Sequence, residues 1–253
     1  MVLDCRLART NYLWKYQLYQ GFWTALDWLL PPVCGGCGAS GIRWCLDCQQ
    51  RVQTLSDPVC DACGLPQAYF GLCNRCQQNR PSFKMLRSWA VFEKPVQNAL
   101  HRLKYRRDIG LGEALSRQMS EFVNQLNWPV DLLAPIPLGK MRLKERGYNQ
   151  VAMVALPLSL QLCINYHPDA LIRAHETRSQ VGLSANERQE NVKDAFQANA
   201  KKVNGRTVLL IDDVSTTGAT LSSAAETLYS AGVKDVYAVT IARALQHHNL
   251  NIV

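Results

Sequence analysis

No stretch of this chain is apolar for long enough to cross a bilayer. The first thirty residues come nearest, with Tyr12, Trp14, Tyr16, Tyr19, Phe22, Trp23, Leu26, Trp28, Leu29 and Leu30. Arg6, Arg9, Lys15 and Asp27 interrupt them well short of the ~20 apolar residues a span requires. No small-residue cleavage site follows, which excludes a secretory signal. The expectation for residues 1–30 is an aromatic helix packed on its own protein and stopped by Pro31 and Pro32, with a membrane-surface or partner helix as the other reading. Histidine is scarce. His101, His167, His175, His247 and His248 form neither a triad nor a ligand spacing, so a histidine-centred catalytic or metal site is not expected. The Gly-Lys-Ser/Thr ending of a Walker loop is absent, which excludes that class of nucleotide site. Long aliphatic runs are missing between residues 31 and 80, so that part must replace a hydrophobic core with something else.

Cysteine is the replacement. Eight of the ten cysteines form four CxxC pairs: Cys34/Cys37, Cys45/Cys48, Cys60/Cys63 and Cys73/Cys76. A two-residue gap lets one tight turn aim both sulfurs at a single metal, and two such turns complete a tetrahedral four-sulfur site suited to structural Zn²⁺. Two zinc ions are expected. Spacers of seven and nine residues between the pairs suit short hairpins, favouring the sequential sets Cys34, Cys37, Cys45, Cys48 and Cys60, Cys63, Cys73, Cys76. An interleaved pairing stays open at this point. Disulfides, a redox motif or iron–sulfur ligation fit the regular repeat and reducing context less well. Cys5 and Cys163 have no mate at metal spacing, and Cys163 reads as a buried core thiol.

The chain's chemistry concentrates in residues 208–220, VLLIDDVSTTGAT. Val208 to Ile211 have no polar alternation, the composition of a buried parallel strand, so Asp212 and Asp213 arrive at its carboxyl end, where open α/β sheets bind ligands. The small residues Ser215, Thr216, Thr217, Gly218, Ala219 and Thr220 let successive backbone N–H groups close around a phosphate at the start of a helix near Ala219. A carboxylate is a poor neighbour for phosphate and a good acceptor for sugar hydroxyls. The pattern asks for a ribose phosphate. An acid pair that merely caps a helix is the plainer alternative.

Upstream, the chain alternates in the manner of a parallel α/β sheet. LRSWAVFEK, from Leu86, reads as a strand; Pro95 opens a helix with Val96, Leu100 and Leu103 on one face; Leu111 to Leu126 read as a second helix; DLLAPIPL, from Asp131, reads as a short strand. A basic loop follows, carrying Lys140, Arg142, Lys144 and Arg146, and then an apolar helix from near Asn149. Residues 177–197 are polar and contain Arg178, Gln180, Arg188 and Asn191, as a loop that closes over a site would, although a capped surface helix after Ser184 explains part of the pattern.

Residues 208–220 resemble the phosphoribosyl pyrophosphate (PRPP) loop of the type I phosphoribosyltransferases. Together with the zinc knuckles, the PIPL strand, KERGYNQ and SQVGLSANERQENV, they resemble the ComF (competence protein F)/GntX family over about residues 29–244. The resemblance implies a cytoplasmic bacterial protein of α/β fold: a type I phosphoribosyltransferase parallel-sheet domain over residues 84–246, a double zinc ribbon before it over residues 31–80, and a tail over 247–253. It implies that Asp212 and Asp213 act on the ribose hydroxyls, that Ser215 to Thr220 hold the 5′-phosphate, and that Arg142, Lys144, Arg146 and Asn149 contact pyrophosphate or substrate. Arg178, Gln180 and Arg188 would belong to the cover loop, and Mg²⁺ would enter with PRPP. Purine-salvage relatives place a further Asp three residues after the acid pair; Thr216 stands there, which disfavours a purine acceptor.

The formal charge of +8 favours anionic partners, with single-stranded DNA and other DNA-uptake proteins among those the resemblance suggests. Residues 1–80 hold seven basic and five acidic residues, whereas Lys84 to Arg107 hold seven basic residues against Glu93 alone, so the excess lies in the second part. Two readings result: a phosphoribosyltransferase acting in DNA uptake or nucleotide metabolism, and a non-catalytic adaptor for single-stranded DNA whose cradle takes a nucleotide 5′-phosphate.

Overall fold

The computed structural model describes residues 3–174 and 195–245, with side chains from residue 11 onward. The expected cover-loop residues Arg178, Gln180 and Arg188, and the expected tail over 247–253, lie outside the described residues.

Five strands form an all-parallel sheet in the order β1 (Met85–Val91), β7 (Asp235–Arg243), β6 (Thr207–Ser215), β2 (Leu132–Pro135), β3 (Asn165–Tyr166). β6 is central and its Val208 to Ile211 are all fully buried, as an unbroken apolar run in a doubly covered sheet requires. On one face α4 (Val96–Tyr105), α5 (Leu111–Leu126) and α7 (Gln150–Leu162) pack against Leu133, Leu209, Ile211 and Val239. On the other face α9 (Ala219–Ser230) packs Leu221, Ala225 and Leu228 against Val208, Leu210 and Ala238. That second core also takes in Leu171 of β4 (Leu171–Arg173), Phe196 of β5 (Phe196–Ala198) and Val203 of the one-turn α8 (Ala200–Val203). β4 and β5 pair antiparallel, tying together the two ends of residues 174–195.

This topology fixes where a ligand can sit. From β2 the chain crosses through α7 on one face to reach β3; from β6 it crosses through α9 on the other face to reach β7. The two connections diverge between β2 and β6, and the carboxyl ends of strands at such a switch point leave an open crevice. The segments after β2 and after β6 flank it.

The basic segment after β2 is a helix rather than a loop. α6 spans Lys140–Arg146, entered from Gly139 and ended by Gly147 at φ 82°, a left-handed turn that glycine adopts without strain. Its residues, Lys-Met-Arg-Leu-Lys-Glu-Arg, are all good helix formers. Loop composition at the flanks concealed a short helix between them.

The N-terminal part begins with α1 (Leu3–Leu29). Its inner side packs on the sheet domain: Tyr12 Oη donates to Asn165 at 2.7 Å, Tyr16 Oη to Glu113 at 3.0 Å, and Trp23 is buried beneath the Arg43 guanidinium, which also pairs with Asp27. Among the described residues no helix is long and apolar enough to cross a membrane. Two knuckle modules follow and repeat one plan. In each, the glycine after the first CxxC turns left-handed, Gly38 at φ 85° and Gly64 at φ 66°, and donates back to Cys34 O and Cys60 O. The second CxxC caps and enters a one-turn helix, α2 (Leu46–Gln50) or α3 (Asn74–Gln78).

Candidate functional site

The four-cysteine sets are sequential. Sγ atoms of Cys34, Cys37, Cys45 and Cys48 lie within 4.8 Å of one another, and those of Cys60, Cys63, Cys73 and Cys76 do likewise, which settles the pairing left open by spacing. A tetrahedron with Zn–S bonds of ~2.3 Å has S···S edges of ~3.8 Å. The edges found are 3.6 Å for Cys34–Cys45 and Cys34–Cys48, 3.7 Å for Cys37–Cys45 and 3.8 Å for Cys63–Cys73. Backbone N–H groups also point at sulfur, Cys45 to Cys34 at 3.4 Å, Cys48 to Cys45 at 3.4 Å and Cys73 to Cys60 at 3.3 Å, which favours thiolates. Both sets therefore fit zinc.

At the crevice, strand alternation parts the two acids. Asp213 continues the face of Leu209 and Ile211, and Asp212 that of Val208 and Leu210. Asp213 is 7% exposed; its Oδ2 pairs with Lys104 Nζ at 3.0 Å and accepts from Gln150 Nε2 at 2.6 Å. Gln150 Oε1 in turn accepts from Arg146 Nη1 at 2.7 Å, so a polar chain runs from α6 to the acid pair. Asp212 is less covered and accepts the Asp213 N–H at 2.9 Å. Burial, and then the neighbouring Asp213 charge, push the Asp212 carboxyl well above the usual carboxylate range. Burial pushes on Asp213 in the same direction, but Lys104, Gln150 and Arg146 outweigh it and hold that carboxyl below its usual range.

Beyond Asp213 the loop turns sharply into α9. Gly218 precedes α9 at φ 79°, a left-handed conformation that favours glycine, although a Cβ there would make only ordinary contact with the Phe83 ring. Thr217 Oγ1 accepts the Ala219 N–H at 3.3 Å. The N–H groups of Thr216, Thr217 and Gly218 have no acceptor among the described residues, and they stand at the positive end of a twelve-residue helix.

The other expected contacts divide. Arg146 reaches the acid pair through Gln150 and lies over the Tyr105 ring at 5.2 Å. Asn149 caps α7, accepting the Val151 N–H at 3.0 Å and donating to Ile136 O at 2.9 Å, so its amide is already engaged. Arg142 and Lys144 lie on the exposed side of α6. Of the seven cations between Lys84 and Arg107, four are engaged by the protein: Lys84 by Asp235, Arg87 by Cys60 O and Asp61 O, Arg102 by Asp108, and Lys104 by Asp213. Sequence reasoning missed Lys104 and Gln150 as partners of the acid pair, and Arg173 of β4, whose charge acts on Asp212. Lys104 stood inside the basic run and Gln150 directly after Asn149, but neither position pointed at Asp213.

An all-parallel sheet with paired acids and a glycine-turned loop at its central strand end, preceded by two four-sulfur knuckles, defines a phosphoribosyltransferase-type domain carrying a double zinc ribbon. The double zinc ribbon domain family matches residues 25–77, and the phosphoribosyl transferase domain family matches residues 153–249. The chain is 32% identical over 208 residues to the DNA utilization protein YhgH of Escherichia coli, covering 79% of this chain and 90% of that one. It is 30% identical over 209 residues to competence protein F of Haemophilus influenzae, covering 79% and 90%. This chain belongs to the competence protein F family. Among solved structures it overlaps an adenine phosphoribosyltransferase with a TM-score of 0.37 at 16% identity, over 56% of this chain and 74% of that one. An overlap that loose says nothing about the reaction.

Proposed function

We propose that the crevice between β2 and β6 binds PRPP and that the chain is a phosphoribosyltransferase working in the cytoplasm in DNA uptake. The observation that carries this is the end of β6, where an acid pair, its second member buried, is followed by three N–H groups without acceptors among the described residues at the N-terminus of α9. Ser215 to Thr220 would hold the 5′-phosphate through those N–H groups and the loop hydroxyls. Asp212, the less covered acid, would accept from a ribose hydroxyl, and Asp213 would follow once Lys104 is drawn away. Lys104, paired with Asp213, and Arg146, linked to it through Gln150, are cations beside the acids that would stabilise the pyrophosphate leaving group. Mg²⁺, bound with PRPP, would neutralise pyrophosphate oxygens, and Asp212 would offer it a carboxylate oxygen of the kind a hard cation takes. Thr216, in the position of a purine-directed Asp, supports an acceptor other than a purine. The DNA role rests on the names of the relatives, a DNA utilization protein and a competence protein.

Calorimetry with PRPP and Mg²⁺ tests the binding. Saturable binding is expected for the native chain and a loss of roughly tenfold or more for Asp212→Ala/Asp213→Ala, since hydrogen bonds to charged groups are worth about 1.5–3 kcal/mol each. No binding by the native chain ends this reading. A turnover assay with bases, amines and DNA ends as acceptors then separates an enzyme from a non-catalytic DNA adaptor. The engagement of Asp213 by Lys104 and Gln150 favours the adaptor if no acceptor is consumed.

A further inference from the structure

Arg243 has no part in the chemistry above, yet it is among the most deeply buried charges in the protein. It ends β7, is 1% exposed, and donates through Nη1 to Cys63 O at 2.7 Å and to Ser215 Oγ at 3.4 Å. Its Nε has no acceptor among the described residues. A buried guanidinium so sparsely bonded is costly unless a counter-charge stands beside it. The second knuckle supplies that charge, for four thiolates around Zn²⁺ carry a net −2. Arg87 of β1 faces the same module, donating to Cys60 O at 3.3 Å and Asp61 O at 3.2 Å. Two arginines of the sheet domain thus clasp the second knuckle, and Leu86 N–H adds a bond to Ala62 O at 2.7 Å.

The clasp ends on the phosphate loop. Arg243 holds Ser215 at the start of that loop. Arg75, next to Cys76 on α3, donates to Thr217 O two residues further on. The two arginines therefore grip the loop on either side of Thr216. The first knuckle packs elsewhere: Asn98 of α4 donates to Gly36 O at 2.7 Å, and Gly35 lies against Leu111.

We propose that the second zinc ribbon holds the phosphate loop in its binding shape, with Arg243 and Arg75 as positioning residues, so that zinc at Cys60, Cys63, Cys73 and Cys76 and a 5′-phosphate in the loop strengthen each other's binding. The inference rests on the reading that Ser215 to Thr220 bind a 5′-phosphate. A knuckle of this size folds only with its metal. Losing the metal removes the Cys63 carbonyl from Arg243, which then no longer holds Ser215, and takes Arg75 off Thr217, so the three N–H groups are no longer held on one phosphate. Linkage makes the effect reciprocal, so a ligand that needs the ordered loop must raise the zinc affinity of that one site.

The test is zinc partition against graded chelator, with the full chain carrying both zinc ions, in the absence and presence of saturating ribose 5-phosphate; calorimetry establishes saturation. One of the two zinc ions is expected to be retained roughly fivefold or more tightly with ribose 5-phosphate, and the other to be unaffected. Arg75→Ala, at an exposed position, should keep both zinc ions but bind ribose 5-phosphate several-fold more weakly and lose the protection, with Arg75→Lys restoring part of it. Binding of ribose 5-phosphate without any zinc protection in the native chain, or full protection in Arg75→Ala, overturns the coupling and leaves the phosphate site standing. No binding of ribose 5-phosphate at all overturns both.

Discussion

Lys104 Nζ lies 3.0 Å from Asp213 Oδ2, joining the last turn of α4 to the carboxyl end of β6, and both side chains are about nine-tenths covered. Removing one member of such a pair strands the other charge in a poor solvent, so Lys104→Met should destabilise the fold by about 3 kcal/mol at neutral pH, less whatever Gln150 recovers. The pH dependence identifies the cause. A carboxyl held below its usual range contributes stability that is present above the unfolded-state value of ~3.9 and lost as pH falls through the depressed folded value. Without Lys104 the folded value rises, so the native chain's advantage should shrink between neutral pH and pH ~4. Urea unfolding at both pH values measures it. An equal deficit at both would mean that lost packing, not lost charge, is responsible.

Much of this arrangement was legible because it is local. The helix read over Leu111 to Leu126 coincides with α5, and CxxC spacing brought out the two sulfur tetrahedra. The apolar run before Asp212 placed the acids near a strand end. What stayed hidden depends on topology. Lys104 and Asp213 are brought together by the α4 crossover, and Arg243 and Cys63 by the docking of the second knuckle on β1 and β7. No window of sequence contains either pair. The wetness of the Lys84 to Arg107 run was likewise not readable, since four of its cations find partners at Asp235, Cys60, Asp108 and Asp213, the nearest of them six residues away.

Asp212 gives the second prediction. Its carboxyl is pushed up to about 7, burial being the larger cause and the Asp213 charge the next. As the acceptor of a ribose hydroxyl it would bond roughly twice as strongly when ionised. The preference for ribose 5-phosphate over methyl phosphate, a monoester that titrates in the same range, should therefore strengthen as pH rises through that value and weaken below it. Taking the ratio of the two affinities largely removes the titration of the phosphate itself. Competition binding between pH 5.5 and 8.5 reads the ratio; these limits span roughly 1.5 units on either side of the expected midpoint. Asp212→Asn should flatten the profile. A flat profile in the native chain would mean that Asp212 does not face the sugar.

The two zinc sites should respond differently to loss of a ligand. Cys34 and Cys48 are fully buried within the same hydrophobic cluster as Leu100, Leu111 and Leu209, so the first knuckle is part of the main core. Cys60, Cys63, Cys73 and Cys76 form a small cluster of their own with Ala62, Leu65 and Leu72. Cys48→Ser and Cys76→Ser should each lower the metal content from two zinc ions to one. Only the first should also lower the main melting transition strongly, because it opens the core beside α4 and α5, at a cost on the order of 3 kcal/mol. Cys76→Ser should lower that transition less, because opening this knuckle lets water reach Arg243, and should add local opening around Ser215 and Thr217, visible as faster amide exchange there. Scanning calorimetry with metal analysis decides the first half. Equal falls in melting temperature for the two variants would show that the second knuckle is as deeply built into the fold as the first.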